Sequence, residues 1–171
     1  MSRFHQKNLY LVRAAVIAAL YVALTWLVAP FGLSGMGAIQ LRVSEALCVL
    51  PYFTPAAIPG LTLGCLLANV FTGAALPDII FGTLATLLGA LGTYALRRWR
   101  FLASLPPVLS NTLIIPFVIK YAYVDVAESL PFLFVSVGVG ELLSVGVFGT
   151  VLLLALERVR RPLFGDIHDI H

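Results

Sequence analysis

The chain has 171 residues, of which 60% are hydrophobic and only 11% are charged, and its mean hydropathy is +1.00. A soluble domain carries about 45–50% apolar and about 25% charged residues, so this composition excludes an ordinary soluble fold. The net charge of +3 does not indicate nucleic-acid binding, because the basic residues cluster beside apolar segments, as they do at membrane surfaces. We therefore expect an all-α, polytopic membrane protein whose residues 1–171 form a single transmembrane domain.

A helix that crosses a bilayer needs about 20 largely apolar residues. Long segments of this kind are residues 9–29, 78–97, 102–122 and 131–158. Between the first two of these, the stretch Ala46–Pro77 is uncharged but is interrupted by Pro51, Pro55 and Pro59, which kink or end helices. Hydropathy alone does not decide whether this stretch crosses the membrane once or twice.

The basic residues decide between the two topologies, because Lys and Arg accumulate on the cytoplasmic side of a membrane. If the interrupted stretch forms two short helices at residues 38–53 and 55–71, every basic cluster falls on the same side. We therefore expect a six-transmembrane-helix bundle with cytoplasmic N and C termini. The three clusters are Arg3, Lys7 and Arg13; Arg97, Arg98 and Arg100; and Arg158, Arg160 and Arg161.

In this topology the remaining polar residues gather in the outer half of the membrane. Glu141 enters from the same side, about 15 Å along its helix from Pro131. A channel or a proton relay would distribute polar groups through the full depth, so the asymmetry predicts an outward-facing binding pocket. The outer residues are Gln40, Arg42, Glu45, Asn69, Asp78, Lys120, Asp125 and Glu128.

Several of these residues allow both a structural and a functional interpretation. Arg42 and Glu45 are three residues apart on one helical face, where they could form an interfacial ion pair or serve a ligand site. Glu141 could bond to a neighbouring helix, or it could face a ligand in the space left by small residues nearby. Those small residues are Gly138, Gly140 and Ser144.

The mid-helix amides Asn69 and Asn111 suit interhelical hydrogen bonding as well as ligand contact. Asp78 follows Pro77 and is predicted to be the N-cap of its helix.

The first helix carries alanines at intervals of four, which form a smooth strip where another helix can approach closely. The strip consists of Ala15, Ala19 and Ala23, with Ala14 and Ala18 beside it. It predicts either tight packing within the chain or a docking surface for a second membrane protein.

The sequence contains no arrangement that supports catalysis. It has no glycine-rich phosphate loop with its lysine, no His/Glu metal constellation and no nucleophile beside a plausible base. The terminal run from Asp166 to His171 is better explained as a flexible terminus than as a metal site. We therefore expect a protein that is not an enzyme and needs no cofactor, so that energy for uphill transport comes from partners or an ion gradient.

Six segments, taken in order along nearly the whole chain, resemble the QueT family of queuosine-precursor transporters, and the first two are specific. They are Gly37–Ala46 (GAIQLRVSEA), Leu50–Gly60 (LPYFTPAAIPG), Gly64–Asn69 (GCLLAN), Asp78–Leu87 (DIIFGTLATL), Leu105–Asn111 (LPPVLSN) and Gly140–Ser144 (GELLS). Members of that family are similar to the substrate-binding S-components of energy-coupling factor (ECF) transporters.

The resemblance implies a multi-pass protein of the prokaryotic cell membrane that captures a micronutrient outside the cell. It would dock through the alanine strip on a transmembrane coupling protein that works with two cytoplasmic ATPases, as in other ABC importers. The implied ligand is a 7-deazaguanine, such as the 7-aminomethyl or the 7-cyano form. Its expected contacts are Gln40, Arg42, Glu45, Asn69, Asp78, Asn111 and Glu141, with Glu141 or Glu45 on the guanine edge and Asp78 as the candidate partner of an aminomethyl group.

Two other hypotheses stay open at this point. The same architecture could carry a different vitamin or nutrient, because fold alone does not fix function. The chain could also be a membrane scaffold protein without a small ligand. The linker Pro30–Gly37 is a candidate lid, because its glycines permit the backbone changes that closure requires.

Overall fold

The computed structural model describes residues 3–28, 42–123 and 127–159, which are helical apart from short connections and contain no strand. This confirms the all-α prediction. The principal elements are α1 (Arg3–Val28), a 3₁₀ helix (Val43–Tyr52), α2 (Ala57–Phe71), α3 (Leu76–Ala95), α4 (Leu105–Ala122) and α5 (Leu130–Arg158).

Within the described ranges, four helices are long and apolar enough to cross a membrane: α1, α3, α4 (extended back to Arg100 by a short 3₁₀ turn) and α5. Large apolar side chains such as Leu63, Leu84 and Leu113 point outward from the bundle, as lipid-facing residues do. The chain is therefore a helical membrane protein.

The 3₁₀ helix and α2 form a hairpin, of which the 3₁₀ helix is the inner arm. The 3₁₀ helix is buried from Ser44 to Pro51, and the chain turns at Thr54 before α2 runs back. Arg42, just before the 3₁₀ helix, donates from Nη2 to Oδ1 of Asn69 near the end of α2, at 2.9 Å. The sequence predicted two short helices here but not the 3₁₀ form. Because a 3₁₀ helix rises about 2.0 Å per residue, ten residues reach about 20 Å, which is close to the length of the fifteen-residue α2.

Helices α1 and α2 pack with their backbones in close contact. A Cβ atom added at Gly60 would lie 2.7 Å from the carbonyl oxygen of Ala14, and one at Gly64 would lie 2.8 Å from Cβ of Tyr21. Glycines four residues apart on one face therefore allow the close approach of small residues that is typical of membrane helices.

We expect the substitution Gly64→Ala to lower the free energy of unfolding by about 1–3 kcal/mol, because the added methyl group overlaps Tyr21. Thermal unfolding in detergent measures the change. Gly146→Ala is the matched control, since its added Cβ would meet only Leu142, at 3.9 Å. Equal stability of the two variants would contradict the close packing of α1 on α2.

A hydrogen bond joins α1 to the 3₁₀ helix. The hydroxyls of Thr25 and Ser44 are hydrogen-bonded at 2.8 Å, and both residues are buried. Thr25 lies one turn along α1 from Tyr21, so both residues face the 3₁₀ helix.

Polar contacts mark the opposite end of the bundle, where the 3₁₀ helix ends. Tyr52 donates its phenolic proton to Oε1 of Glu157 at 3.0 Å, and Arg100 forms an ion pair with Oε2 of Glu157 at 3.4 Å. This end, which we call the Glu157 end, joins the α2 hairpin, the α3–α4 connection and the end of α5.

The last helix changes its hydrogen-bonding pattern in the interior of the bundle. It is α-helical over Leu130–Glu141, π-helical over Leu142–Gly149 and α-helical again over Thr150–Arg158. Single π-helical segments occur often at functional sites, and this one begins directly after Glu141.

Candidate functional site

Two buried carboxylates share one amide in the middle of the bundle. Glu45 on the 3₁₀ helix, Asn111 on α4 and Glu141 on α5 are 0%, 1% and 3% exposed. Nδ2 of Asn111 donates to Oε2 of Glu45 at 3.3 Å, and the same side chain is hydrogen-bonded to Glu141. We call Glu45 and Glu141 the carboxylate pair.

The carboxylate of Glu45 is well supplied with donors. The phenol of Tyr21 donates to Oε1, and the thiol of Cys48 donates to Oε2 at 3.0 Å, in addition to the bond from Asn111. A buried carboxylate is stable only when such bonds replace its hydration. Glu45 is therefore held in place by the protein itself.

Three buried oxygen atoms, on Asn111, on Glu141 and one turn further along α5, lack partners among the described residues: Oδ1 of Asn111, Oε2 of Glu141 and Oγ of Ser144. Ser144 is fully buried and lies three residues beyond Glu141, within the π-helical segment. Buried polar atoms almost always have a hydrogen-bond partner, so a group of unpartnered ones marks a place where a ligand can bind. We call these three atoms the acceptor pocket.

A second polar cluster lies towards the end of the bundle where α2 ends and α3 begins. Oδ2 of Asp78 accepts from the phenol of Tyr123 at 2.9 Å, and its buried Oδ1 lacks a partner within the described ranges. Asn69 accepts from Arg42 and directs its own amide towards the carbonyl oxygen of Asp78, at 3.5 Å. Partial burial and the charge of Asp78 raise the pKa of Tyr123, so its phenol stays protonated as the donor to Asp78.

Arg42 connects the two clusters electrostatically. Its guanidinium lies within range of Glu45, Glu141 and Asp78. The small residue Gly82 brings α3 close to the outer cluster, since an added Cβ would lie 3.2 Å from both Nδ2 of Asn69 and Oδ1 of Asp78. Because Arg42 interacts with the carboxylates of both clusters, we treat the two clusters as one candidate binding site.

Comparison with known proteins shows which family the chain belongs to. Residues 11–158 match the family model described as QueT transporter. The chain belongs to the QueT transporter family. It is also 42% identical, over 84 residues, to the queuosine precursor transporter QueT of Lactococcus lactis subsp. cremoris (strain MG1363). That alignment covers 48% of this chain and 47% of the relative, which is about half of each. No solved structure gives a significant match.

Family membership and the four long apolar helices together place this QueT-family chain in the cell membrane as a multi-pass protein.

The structure brings the expected binding residues of the QueT-family chain together. Glu45, Asn111 and Glu141 lie in the inner cluster, whereas Arg42, Asn69 and Asp78 form the outer one. Gln40 and the candidate lid Pro30–Gly37 lie outside the described residues, as do Asp125 and the terminal run from Asp166 to His171.

Two local expectations need correction. Asp78 is not an N-cap, because α3 begins at Leu76 with Ala75 as its N-cap, and Asp78 lies in the first turn, where its carboxylate accepts from Tyr123. Arg42 and Glu45 do not share one face of an α-helix. Arg42 precedes the 3₁₀ helix in extended backbone and donates to Asn69, whereas Glu45 is surrounded by its own three donors.

The structure also adds residues that the sequence did not single out as part of the site: Tyr21, Cys48 and Tyr123. Tyr21 offered a signal, because a tyrosine in the middle of an apolar helix needs an acceptor for its hydroxyl. Cys48 and Tyr123 offered none, since a buried thiol or an interfacial tyrosine is ordinary in a membrane protein.

The alanines of α1 divide between two faces. Ala14 and Ala18 are buried against Gly60 and Gly64 of α2. Ala15, Ala19 and Ala23 are exposed on the other side of α1. The exposed three form what we call the outer alanine strip.

Proposed function

We propose that this chain is the substrate-binding S-component of an ECF-type ABC importer, and that it captures a 7-deazaguanine precursor of queuosine on the extracellular side. The observation that carries the proposal is the group of buried oxygens of Asn111, Glu141 and Ser144 that have no partner among the described residues, in a chain of the QueT family. The name of the Lactococcus relative supports the class of ligand.

The chemistry of the site suits such a ligand. A guanine-like edge presents an N1–H and an exocyclic amine beside a carbonyl oxygen, so it needs acceptors and donors next to each other. Carboxylates supply acceptors that can take two hydrogen bonds at once, and amides or guanidinium groups supply donors. The proposed binding residues are Gln40, Arg42, Glu45, Asn69, Asp78, Asn111 and Glu141.

The proposed topology has six membrane crossings, two of which are the 3₁₀ helix and α2. The bond between Arg42 and Asn69 supports it, because it brings the start of the 3₁₀ helix and the end of α2 to the same side. The ion pair between Arg100 and Glu157 supports a common side for two of the basic clusters. We place the Glu157 end in the cytoplasm, together with both termini, and the Asp78 cluster outside.

The proposed partners are a transmembrane coupling protein and two cytoplasmic ATPases, which would supply the energy of transport. The outer alanine strip is the proposed contact with the coupling protein, since its residues are exposed and small enough for another helix to approach. In this arrangement the chain binds the ligand and itself catalyses no reaction.

Isothermal titration of the purified chain with 7-aminomethyl- and 7-cyano-7-deazaguanine tests the proposal. We expect at least one of them to bind with a Kd of about 1 µM or lower and to raise the melting temperature. Riboflavin serves as the control cargo and is expected not to bind. If neither deazaguanine binds a folded sample, the proposed ligand class is wrong, and stabilisation by another nutrient would indicate a different cargo.

A further inference from the structure

The acceptor pocket is unusual because its members mainly accept hydrogen bonds. Oδ1 of Asn111 and Oε2 of an ionised Glu141 can only accept, and the hydroxyl of Ser144 can accept as well as donate. The donors that are bonded to the carboxylate pair are already engaged, because Tyr21, Cys48 and the amide of Asn111 donate to it, and Arg42 is directed to Asn69. A group that fits this pocket must therefore bring several donors of its own.

The charges of the site also favour a group that brings donors of its own. Among the described residues of the two clusters, the carboxylates of Glu45, Asp78 and Glu141 face the single guanidinium of Arg42, which leaves an excess of negative charge. The other titratable groups that face the pair are Tyr21, Cys48 and Cys65, and none of these can add a positive charge. Two buried carboxylates that share one amide donor repel each other, so a cationic group of a ligand stabilises the pair.

We propose that the acceptor pocket binds an alkylammonium group, so that the chain selects the cationic 7-aminomethyl ligand over the neutral 7-cyano ligand. This rests on the proposed function. An ammonium carries three N–H donors and no acceptor, which matches the three oxygens of the pocket. A nitrile nitrogen can only accept, so it would meet Asn111 and Glu141 without a hydrogen to share.

The base then binds at the outer cluster, which reverses the assignment expected from the family resemblance, in which Glu141 or Glu45 met the guanine edge and Asp78 met the aminomethyl group. Arg42 and Asn69 supply donors there, and Oδ1 of Asp78 supplies an unpartnered acceptor, so this cluster offers both types of group that a guanine edge requires. The ligand is thus oriented with its amine towards the carboxylate pair and its base towards the outer cluster.

The aminomethyl ligand carries its charge at neutral pH, because an alkylammonium stays protonated well above neutral pH, as the amine of lysine does. The 7-cyano ligand carries no such charge, so the two ligands differ at the group that meets the carboxylate pair.

Titration calorimetry of the full chain with both ligands at neutral pH tests the inference. We expect the aminomethyl ligand to bind at least about 30-fold more tightly than the cyano ligand. Ser144→Ala and Glu141→Gln are expected to reduce this preference, whereas the control Ser110→Ala, which removes only a hydroxyl bonded to the carbonyl of Pro107, keeps it.

Equal or tighter binding of the cyano ligand by the unmodified chain would overturn the inference and leave the proposed function intact. A preference for the amine that survives in both variants would also overturn it, because the ammonium would then bind elsewhere. If neither ligand binds a folded sample, the ligand class given under the proposed function is itself refuted.

Discussion

Replacing Ala19 by leucine is expected to abolish uptake and assembly with the coupling protein while ligand affinity stays unchanged. Ala19 is exposed on the outer alanine strip of α1, so a larger side chain there meets a partner helix and not the interior of the bundle. Co-purification with the coupling protein, uptake of labelled ligand by cells and titration of the isolated chain measure the three quantities.

The neighbouring substitution Ala18→Leu is the matched control. Ala18 is 8% exposed and packs against Gly64. A Cβ atom added at Gly64 would lie only 3.1 Å from Cα of Ala18. The larger side chain has no space, and we expect it to lower the free energy of unfolding by about 1–3 kcal/mol. Normal uptake by the Ala19→Leu variant would exclude the outer alanine strip as the docking surface.

Replacing Glu45 by alanine is expected to cost about 3 kcal/mol or more of the free energy of unfolding. The change removes the acceptor shared by Tyr21, Cys48 and Asn111, and each buried donor left without a partner is destabilising by about 1–3 kcal/mol. Thermal or denaturant unfolding of the purified protein in detergent measures the loss.

Glu141→Gln provides the contrast, because Oε2 of Glu141 has no partner within the described residues and its replacement breaks no bond at that atom. We expect this variant to fold with stability close to that of the original chain and to lose affinity for the ligand. If Glu45→Ala were as stable as Glu141→Gln, the structural role of the Glu45 carboxylate would be refuted.

Composition was sufficient to predict a helical membrane protein, because long apolar segments such as residues 102–122 can satisfy their backbone in lipid only as helices. It was not sufficient for the segment around Pro51 and Pro55. There, hydropathy gives the same signal for one bent helix and for two short ones, and it does not distinguish a 3₁₀ helix from an α-helix. The 3₁₀ helix packs against α1, α3 and α5.

The identities of the site residues were easier to predict than their partners. Glu45 and Glu141 stand out because burying a charged residue in an apolar segment costs free energy, so such a residue often has a functional role. Their bonds could not be predicted, since Tyr21 and Asn111 are 24 and 66 residues away from Glu45 in the chain. Such contacts are set by how the helices pack, which no local pattern records.

The burial of the alanines of α1 also depends on helix packing and could not be predicted from the sequence. Five alanines of α1 were alike in the sequence, and the glycines of α2 decide which of them are covered: Ala14 and Ala18 face Gly60 and Gly64, and the others are left outside.

The two polar contacts between α1 and the 3₁₀ helix have a mechanical consequence. Tyr21 bonds to Glu45, and one turn further along Thr25 bonds to Ser44. Two hydrogen bonds on one face of α1 prevent the helix from rotating about its long axis. The outer alanine strip lies on the other face of α1. It therefore keeps a constant orientation towards the lipid while both bonds are present.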